Sequence, residues 1–192
     1  MHLLTTILAL LLVLLFSVIE GRLRKGRQAQ TMEAGASDRD STRHLGQAYG
    51  IAIISLILAP VLNVLGIAHL PYAAVAWTGL AVECGGIALR IWANRVLGEF
   101  YTRTLRVAEN QPIVQRGPYR LLRHPGYLGQ ILMWTGAALA GANWIILLMV
   151  VAVICLAYHY RIRAEEAMLR ERLGQAYLEY QARTWKLMPF VY

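Results

Sequence analysis

Four long apolar runs divide this chain, at residues 3 to 19, 48 to 68, 73 to 89 and 127 to 160. A helix that crosses a bilayer needs about 20 predominantly apolar residues. The last run has 34 and carries Gly141-Ala142-Asn143 near its middle, so it predicts two helices joined by a tight turn. The pattern therefore predicts an all-α integral membrane protein of five transmembrane helices, the fourth and fifth forming a hairpin. Four spans follow instead if the last run is one long, broken helix. Helix two holds Pro60 and Asn63, which mark a kink whose freed backbone groups need partners. Gly136-x-x-x-Ala140 in helix four is a small-residue spacing that permits close helix approach.

Between the runs the pattern changes. Residues 26 to 44 are polar, small and mixed in charge, as in a flexible loop or a short amphipathic stretch. Residues 93 to 126 form a long loop, but Phe100, Tyr101, Ile113, Val114, Tyr119, Leu121 and Leu122 predict that it is ordered and packed. From 164 to 183 apolar residues recur at 168, 169, 173, 176, 177 and 180, which is helical periodicity broken at Gly174. The chain divides into a three-helix N-terminal membrane region, 1 to 92, and a second region, 93 to 192, with the loop, the hairpin and a C-terminal helical segment.

Composition agrees with the membrane class: 57% of residues are hydrophobic and the mean hydropathy is +0.45. Charge adds orientation. All 19 Lys and Arg fall at Arg90 or in segments 20 to 47, 93 to 126 and 161 to 192, and the opposite turns at 69 to 72 and 140 to 143 hold none. With five spans these basic segments share one face. The positive-inside rule makes that face cytoplasmic, C-terminus included, and puts the N-terminus outside. The net charge of +8 is thus explained by topology, with attraction to anionic lipid head groups secondary and nucleic acid not expected. Cys84 and Cys155 both lie within apolar runs, so neither a disulfide framework nor a metal site is expected. The N-terminal run lacks a basic leader and an Ala-x-Ala-like cleavage site and reads as a retained helix.

Two polar clusters flank the hairpin: Arg123-His124-Pro125-Gly126-Tyr127 before it and Arg161-x-x-x-Glu165-Glu166 at its end. Charge beside hydrocarbon is costly. A hairpin brings the clusters together, so one composite site is expected. Pro125 suits the first turn of a helix, whose free N–H groups form a mild anion site. Glu165 and Glu166 point about 100° apart on a helix, so only one easily faces a common pocket. Arg161 lies one turn before Glu165 and could pair with it. Glu83, mid-helix, is a functional candidate by position, although a protonated or hydrogen-bonded structural role suits it better. Gly-x-Gly-x-x-Gly, Walker, His-Glu-x-x-His and Cys-x-x-Cys motifs are all absent.

In order, Val114-x-x-Gly117-Pro118-Tyr119-x-x-x-Arg123-His124-Pro125-x-Tyr127-x-Gly129, then Arg161-x-x-x-Glu165-Glu166, then Leu173-Gly174-x-x-Tyr177-x-x-Tyr180 and Pro189 resemble the isoprenylcysteine carboxyl methyltransferase family, itself related to the phospholipid methyltransferases. The resemblance covers residues 95 to 192, and the compact chain suggests a prokaryotic member in the cell membrane. It implies an integral-membrane enzyme that uses S-adenosylmethionine, without a metal, on a lipophilic acceptor entering from the bilayer. Cofactor contacts carried over by position are Gln111, Pro112, Ile113, Val114, Tyr119, His124, Pro125, Gly126, Tyr127 and Glu165. Gln111-Pro112-Ile113 differs in side chains from better-known members and would act through backbone. Arg161 matches the substrate arginine, and Arg161, Glu165 and Glu166 are the expected catalytic group. The acceptor implied is a carboxylate of isoprenylcysteine type. A phospholipid, amine or thiol acceptor, or a nicotinamide-dependent reductase of sterol type, is the alternative.

Overall fold

The computed structural model describes residues 2–23, 38, 40–98 and 112–189. Among these residues six α-helices follow one another: α1 (His2–Leu23), α2 (Ser41–Val64), α3 (Ala73–Leu97), α4 (Pro125–Ala140), α5 (Trp144–Leu173) and α6 (Gln175–Arg183). A 3-10 turn, Gly117–Arg120, precedes α4. Residues 99–111, including Phe100, Tyr101 and Gln111, lie outside the described residues.

Among the described residues, four helices are long and apolar enough to cross a membrane: α1, α2, α3 and α5. Their outward sides carry exposed Leu4, Ile7, Leu11, Leu14, Ile54, Ile57, Val61, Leu148 and Leu156. Such a belt would be a liability in water and is the expected surface in lipid. The last apolar run is two helices, with the turn at Gly141-Ala142-Asn143 as its composition predicts. α4 has only 16 residues, about 24 Å of helix, and is mostly enclosed by the others.

The inner faces use small residues. Ala48, Ala52 and Ala59 of α2, Ala137 and Ala138 of α4, and Val150 and Ile154 of α5 are buried in one core. α3 and α4 approach closest, running antiparallel. A Cβ added at Gly136 would lie 2.3 Å from the Glu83 backbone nitrogen, and one at Gly86 would lie 2.4 Å from that of Met133. One at Gly79 would meet the Ala140 nitrogen at 2.4 Å. Hydrogen in place of a side chain is what permits this approach. Gly136-x-x-x-Ala140 therefore works as its spacing suggests, against Gly79 and the Glu83 backbone on α3.

The end of the bundle away from the basic segments is tied by Asn63 and Asn143. Asn143 caps α5 by accepting from the Ile146 N–H at 3.2 Å. Its amide donates to Asn63 at 3.0 Å and to the Ile67 carbonyl at 2.9 Å, while Asn63 donates to the Gly141 carbonyl at 2.8 Å. α2 stays helical through Pro60 to Val64.

Two boundaries differ from the sequence pattern. α3 runs on past Arg90 to Leu97, and α5 runs past 160 to Leu173, absorbing the first part of the expected tail. In both places charged residues follow the apolar run, and nothing there breaks the helix. The break comes at Gly174, whose φ of +54° suits glycine, and α6 begins after it.

Candidate active site

The two polar clusters that flank the hairpin converge at the basic end, where α4 begins and α5 passes. Pro125 occupies the first turn of α4 and His124 its cap position. Arg123 and His124 donate their backbone N–H groups to the Trp185 and Lys186 carbonyls at 2.8 and 3.2 Å, and the Trp185 N–H donates to the Leu121 carbonyl at 2.9 Å. The chain after α6 thus lies parallel to residues 121 to 124. The N–H groups expected to make an anion site there are in part already committed to this pairing. Tyr180 adds a second tie, donating to the carbonyls of Tyr119 at 2.8 Å and Leu122 at 3.3 Å.

Glu166 is the hub of this clamp. Its carboxylate accepts from Arg123 Nε at 3.0 Å, lies 3.2 Å from His124 Nε2, and pairs with Arg170 at 3.3 Å. Arg123 also donates to the Gln181 and Thr184 carbonyls. These groups lie in a nearly dry place: the Glu166 side chain is 5% exposed and that of His124 4%. The expectation that only one of the two glutamates faces the common site needs adjustment. His124 has Glu166 on one ring nitrogen and Glu165 on the other, with Nδ1 3.8 Å from Glu165 Oε2. The two differ in what remains available. Glu166 is consumed by cations, whereas Glu165 Oε2 is buried with no hydrogen-bond partner among the described residues.

The Tyr177 hydroxyl of α6 is a second buried group without such a partner. Burial, and then the charges of Glu166 and Glu165, hold its phenol well above the usual range. Tyr127 stacks on His124 with ring centres 5.4 Å apart and rings within 4° of parallel. Its hydroxyl faces Arg161, whose Nε lies 3.4 Å away. Below it the aromatic contacts continue inward to Tyr158, at 5.0 Å. Gly126 lies against Arg90, which is itself paired with Glu20 of α1 at 2.9 Å.

Of the positions singled out in the sequence, His124, Pro125, Gly126, Tyr127, Arg161, Glu165 and Glu166 come together here. Tyr119 joins through its backbone carbonyl. Pro112, Ile113 and Val114 run in irregular backbone, and among the described residues no hydrogen bond or ion pair ties them to this group. Gln111 lies outside the described residues. Glu83 stands apart, completely buried between α3 and α4, with neither carboxylate oxygen hydrogen-bonded among the described residues. Sequence reasoning missed Asp38, which pairs with Arg161 at 2.7 Å. The only signal was an Asp four residues before Thr42, at the start of a helix.

Fold and site together define a membrane-embedded helical protein whose buried ionic cluster is clamped by its own C-terminal segment. The chain belongs to the phospholipid methyltransferase family, whose sequence profile matches residues 74–176. It is 29% identical over 122 residues to a probable protein-S-isoprenylcysteine O-methyltransferase of Oryza sativa subsp. indica, covering 62% of this chain and 64% of that protein. It is 30% identical over 115 residues to protein-S-isoprenylcysteine O-methyltransferase B of Arabidopsis thaliana, covering 59% and 58%. The match thus spans less than two thirds of these relatives' length. They are plant proteins, so the expectation of a prokaryotic member finds no support in them. The fold is similar to that of the eukaryotic intramembrane Ras methyltransferase ICMT (isoprenylcysteine carboxyl methyltransferase), with a TM-score of 0.69 at 24% identity over 77% of this chain and 54% of that one.

Proposed function

We propose that this protein is an integral-membrane methyltransferase that uses S-adenosylmethionine on a lipophilic carboxylate of isoprenylcysteine type. The observation that carries the reading is the pair of buried oxygens with no hydrogen-bond partner among the described residues, Glu165 Oε2 and Tyr177 Oη, beside the stacked His124 and Tyr127. Buried polar atoms without partners are costly. A cationic, hydroxyl-bearing cofactor supplies the donors and the positive charge they lack, so the residues present fit S-adenosylmethionine. Bound there, it would supply an electrophilic methyl group on a sulfonium.

The chain's own residues then have separable work. Glu165 and Tyr177 hold the cofactor, and His124 and Tyr127 form a flat wall beside it. Glu166 holds the wall in place through Arg123 and His124 and is a structural group more than a chemical one. Arg161 binds and orients the acceptor carboxylate by charge-assisted hydrogen bonds. A carboxylate is already a nucleophile near neutral pH, so positioning supplies much of the rate and no general base is required. Pro112 to Val114 would contribute backbone contacts.

We further infer five membrane passes. α4 is short, but it lies along α3 over its whole length, at the depth that α3 occupies. Five passes put the C-terminal clamp and the basic segments on the cytoplasmic side, by the positive-inside rule. A water-soluble cofactor then enters from that side and an apolar tail from between helices.

Binding of S-adenosylmethionine and of NADPH to the purified protein separates this reading from a reductase. S-adenosylmethionine is expected to bind, and transfer of labelled methyl to a farnesylated cysteine is expected to follow. NADPH binding without S-adenosylmethionine binding would overturn the proposal. Labelling of phospholipid instead of the farnesylated cysteine would replace the acceptor and leave the cofactor assignment standing.

A further inference from the structure

Residues 26 to 44 carry little readable signal, yet this connection delivers a carboxylate to the core of the site. Asp38 is 1% exposed and Arg161 3%. Arg161 Nη1 donates to Asp38 Oδ1 at 2.7 Å, to Ser41 Oγ at 3.0 Å and to Thr42 Oγ1 at 2.9 Å. Its Nε faces the Tyr127 hydroxyl at 3.4 Å. The guanidinium plane is therefore fixed at two points, one on the α2 side and one on α4. Asp38 is fixed in its turn. Its Oδ1 accepts from Ser41 Oγ at 3.1 Å and Thr42 Oγ1 at 2.8 Å, and its Oδ2 accepts the Thr42 backbone N–H at 3.0 Å. Burial pushes the Asp38 carboxyl up, but the Thr42 N–H and hydroxyl, the Arg161 charge and the Ser41 hydroxyl outweigh it and hold it below the usual carboxylate range.

Two physical consequences follow. A guanidinium buried without a counter-charge is strongly disfavoured, and Asp38, in direct contact, joins Glu165 in supplying that charge to Arg161. A long side chain also loses rotamer freedom when it grips a ligand, and one already held loses less. Asp38 thus prepares Arg161 for an acceptor before the acceptor arrives. The contact also links the start of α2, outside the 74–176 family match, to the hairpin.

We propose that Asp38, with Ser41 and Thr42, is the positioning group for Arg161, fixing the guanidinium that faces the acceptor through a buried contact from the start of α2. This rests on the methyltransferase reading for the role of Arg161, but the positioning itself can be measured without turnover. In full-length protein labelled with 15N-arginine, the Arg161 Nε–H is expected as one slowly exchanging resonance. Asp38→Asn keeps the shape and removes the charge. It is expected to make that proton exchange rapidly and to lower kcat/KM for a farnesylated cysteine by about tenfold or more, with the S-adenosylmethionine Kd changed by less than about twofold. Asp38→Glu restores part of the loss. In an Arg161→Lys background the Asp38→Asn penalty shrinks to below about twofold, because the two residues act as one unit. A merely structural carboxylate would lower stability without that coupling. Should Asp38→Asn fail to fold, Ser41→Ala removes one of the three oxygens on the same nitrogen and carries the same expectation at about two- to threefold.

An unchanged Arg161 resonance in Asp38→Asn, or additive penalties in the double variant, would overturn the proposal. If the wild-type protein binds no S-adenosylmethionine, the methyltransferase reading fails, and the Arg161 resonance still decides the positioning.

Discussion

Gly85 and Gly86 are adjacent on α3, yet the structure assigns opposite consequences to adding one methyl group at each. A Cβ on Gly85 meets nothing within 4 Å. A Cβ on Gly86 meets the Met133 nitrogen at 2.4 Å, the Gly129 oxygen at 2.6 Å and the Leu132 carbonyl carbon at 3.0 Å. All three are backbone atoms of α4, so no side chain can swing aside. Ordinary contact requires about 1 Å more, and α3 and α4 must part by that amount along a seam where Gly79, Gly129 and Gly136 also touch backbone. Overpacking of this kind costs about 1–3 kcal/mol, occasionally more. At Gly85 the methyl group instead removes a glycine from a helix interior, which favours the fold by about 0.5–1 kcal/mol. The two alanine variants should therefore differ by about 1.5–4 kcal/mol, more than tenfold in the folded-to-unfolded ratio. Reversible unfolding of the two proteins in mixed micelles, followed by circular dichroism, measures the difference directly. Equal stabilities, or a less stable Gly85→Ala, would refute the backbone-to-backbone seam between α3 and α4.

Two further outcomes follow from other ties. Asn143→Ala removes the α5 cap and the link to Asn63 and Ile67, and should cost about 1–2 kcal/mol in the same unfolding assay, while Asn143→Ser recovers part of it. Tyr180 is buried and its phenol is pushed up to about 12, above its unfolded value of about 10. Its contribution is fully present below pH 10 and is lost as pH rises towards 12. Tyr180→Phe should abolish that alkaline step in stability and speed proteolysis after α6, because the Tyr119 and Leu122 carbonyls lose their donor.

The helices were legible because hydrocarbon demands long apolar runs, and the hairpin turn because Gly141-Ala142-Asn143 interrupts one of them. Gly136 and Ala140 declared the close seam through their spacing alone. The ends of α3 and α5 were not legible, since a helix leaving a membrane looks in sequence like a helix stopping. At the site, the grouping of Arg123, His124, Arg161 and the two glutamates followed from a hairpin that joins its own ends. The different fates of Glu165 and Glu166 did not, because they depend on where Arg123 and Arg170 reach in space. Asp38 was illegible for a deeper reason. It is 123 positions from Arg161, and a short polar segment gives no periodicity to say which way it folds.

The clamp between residues 121–124 and 184–186 sets an order of assembly. α1 to α5 can enter the membrane and pair while the chain is still being made. The Arg123 and His124 N–H groups lack their acceptors until residues 185 and 186 have left the ribosome. The buried ionic cluster is thus finished last, from the cytosolic side if the basic face lies there, after every helix is in place. A stop codon placed before Trp185 would leave a protein that inserts normally and never completes its site.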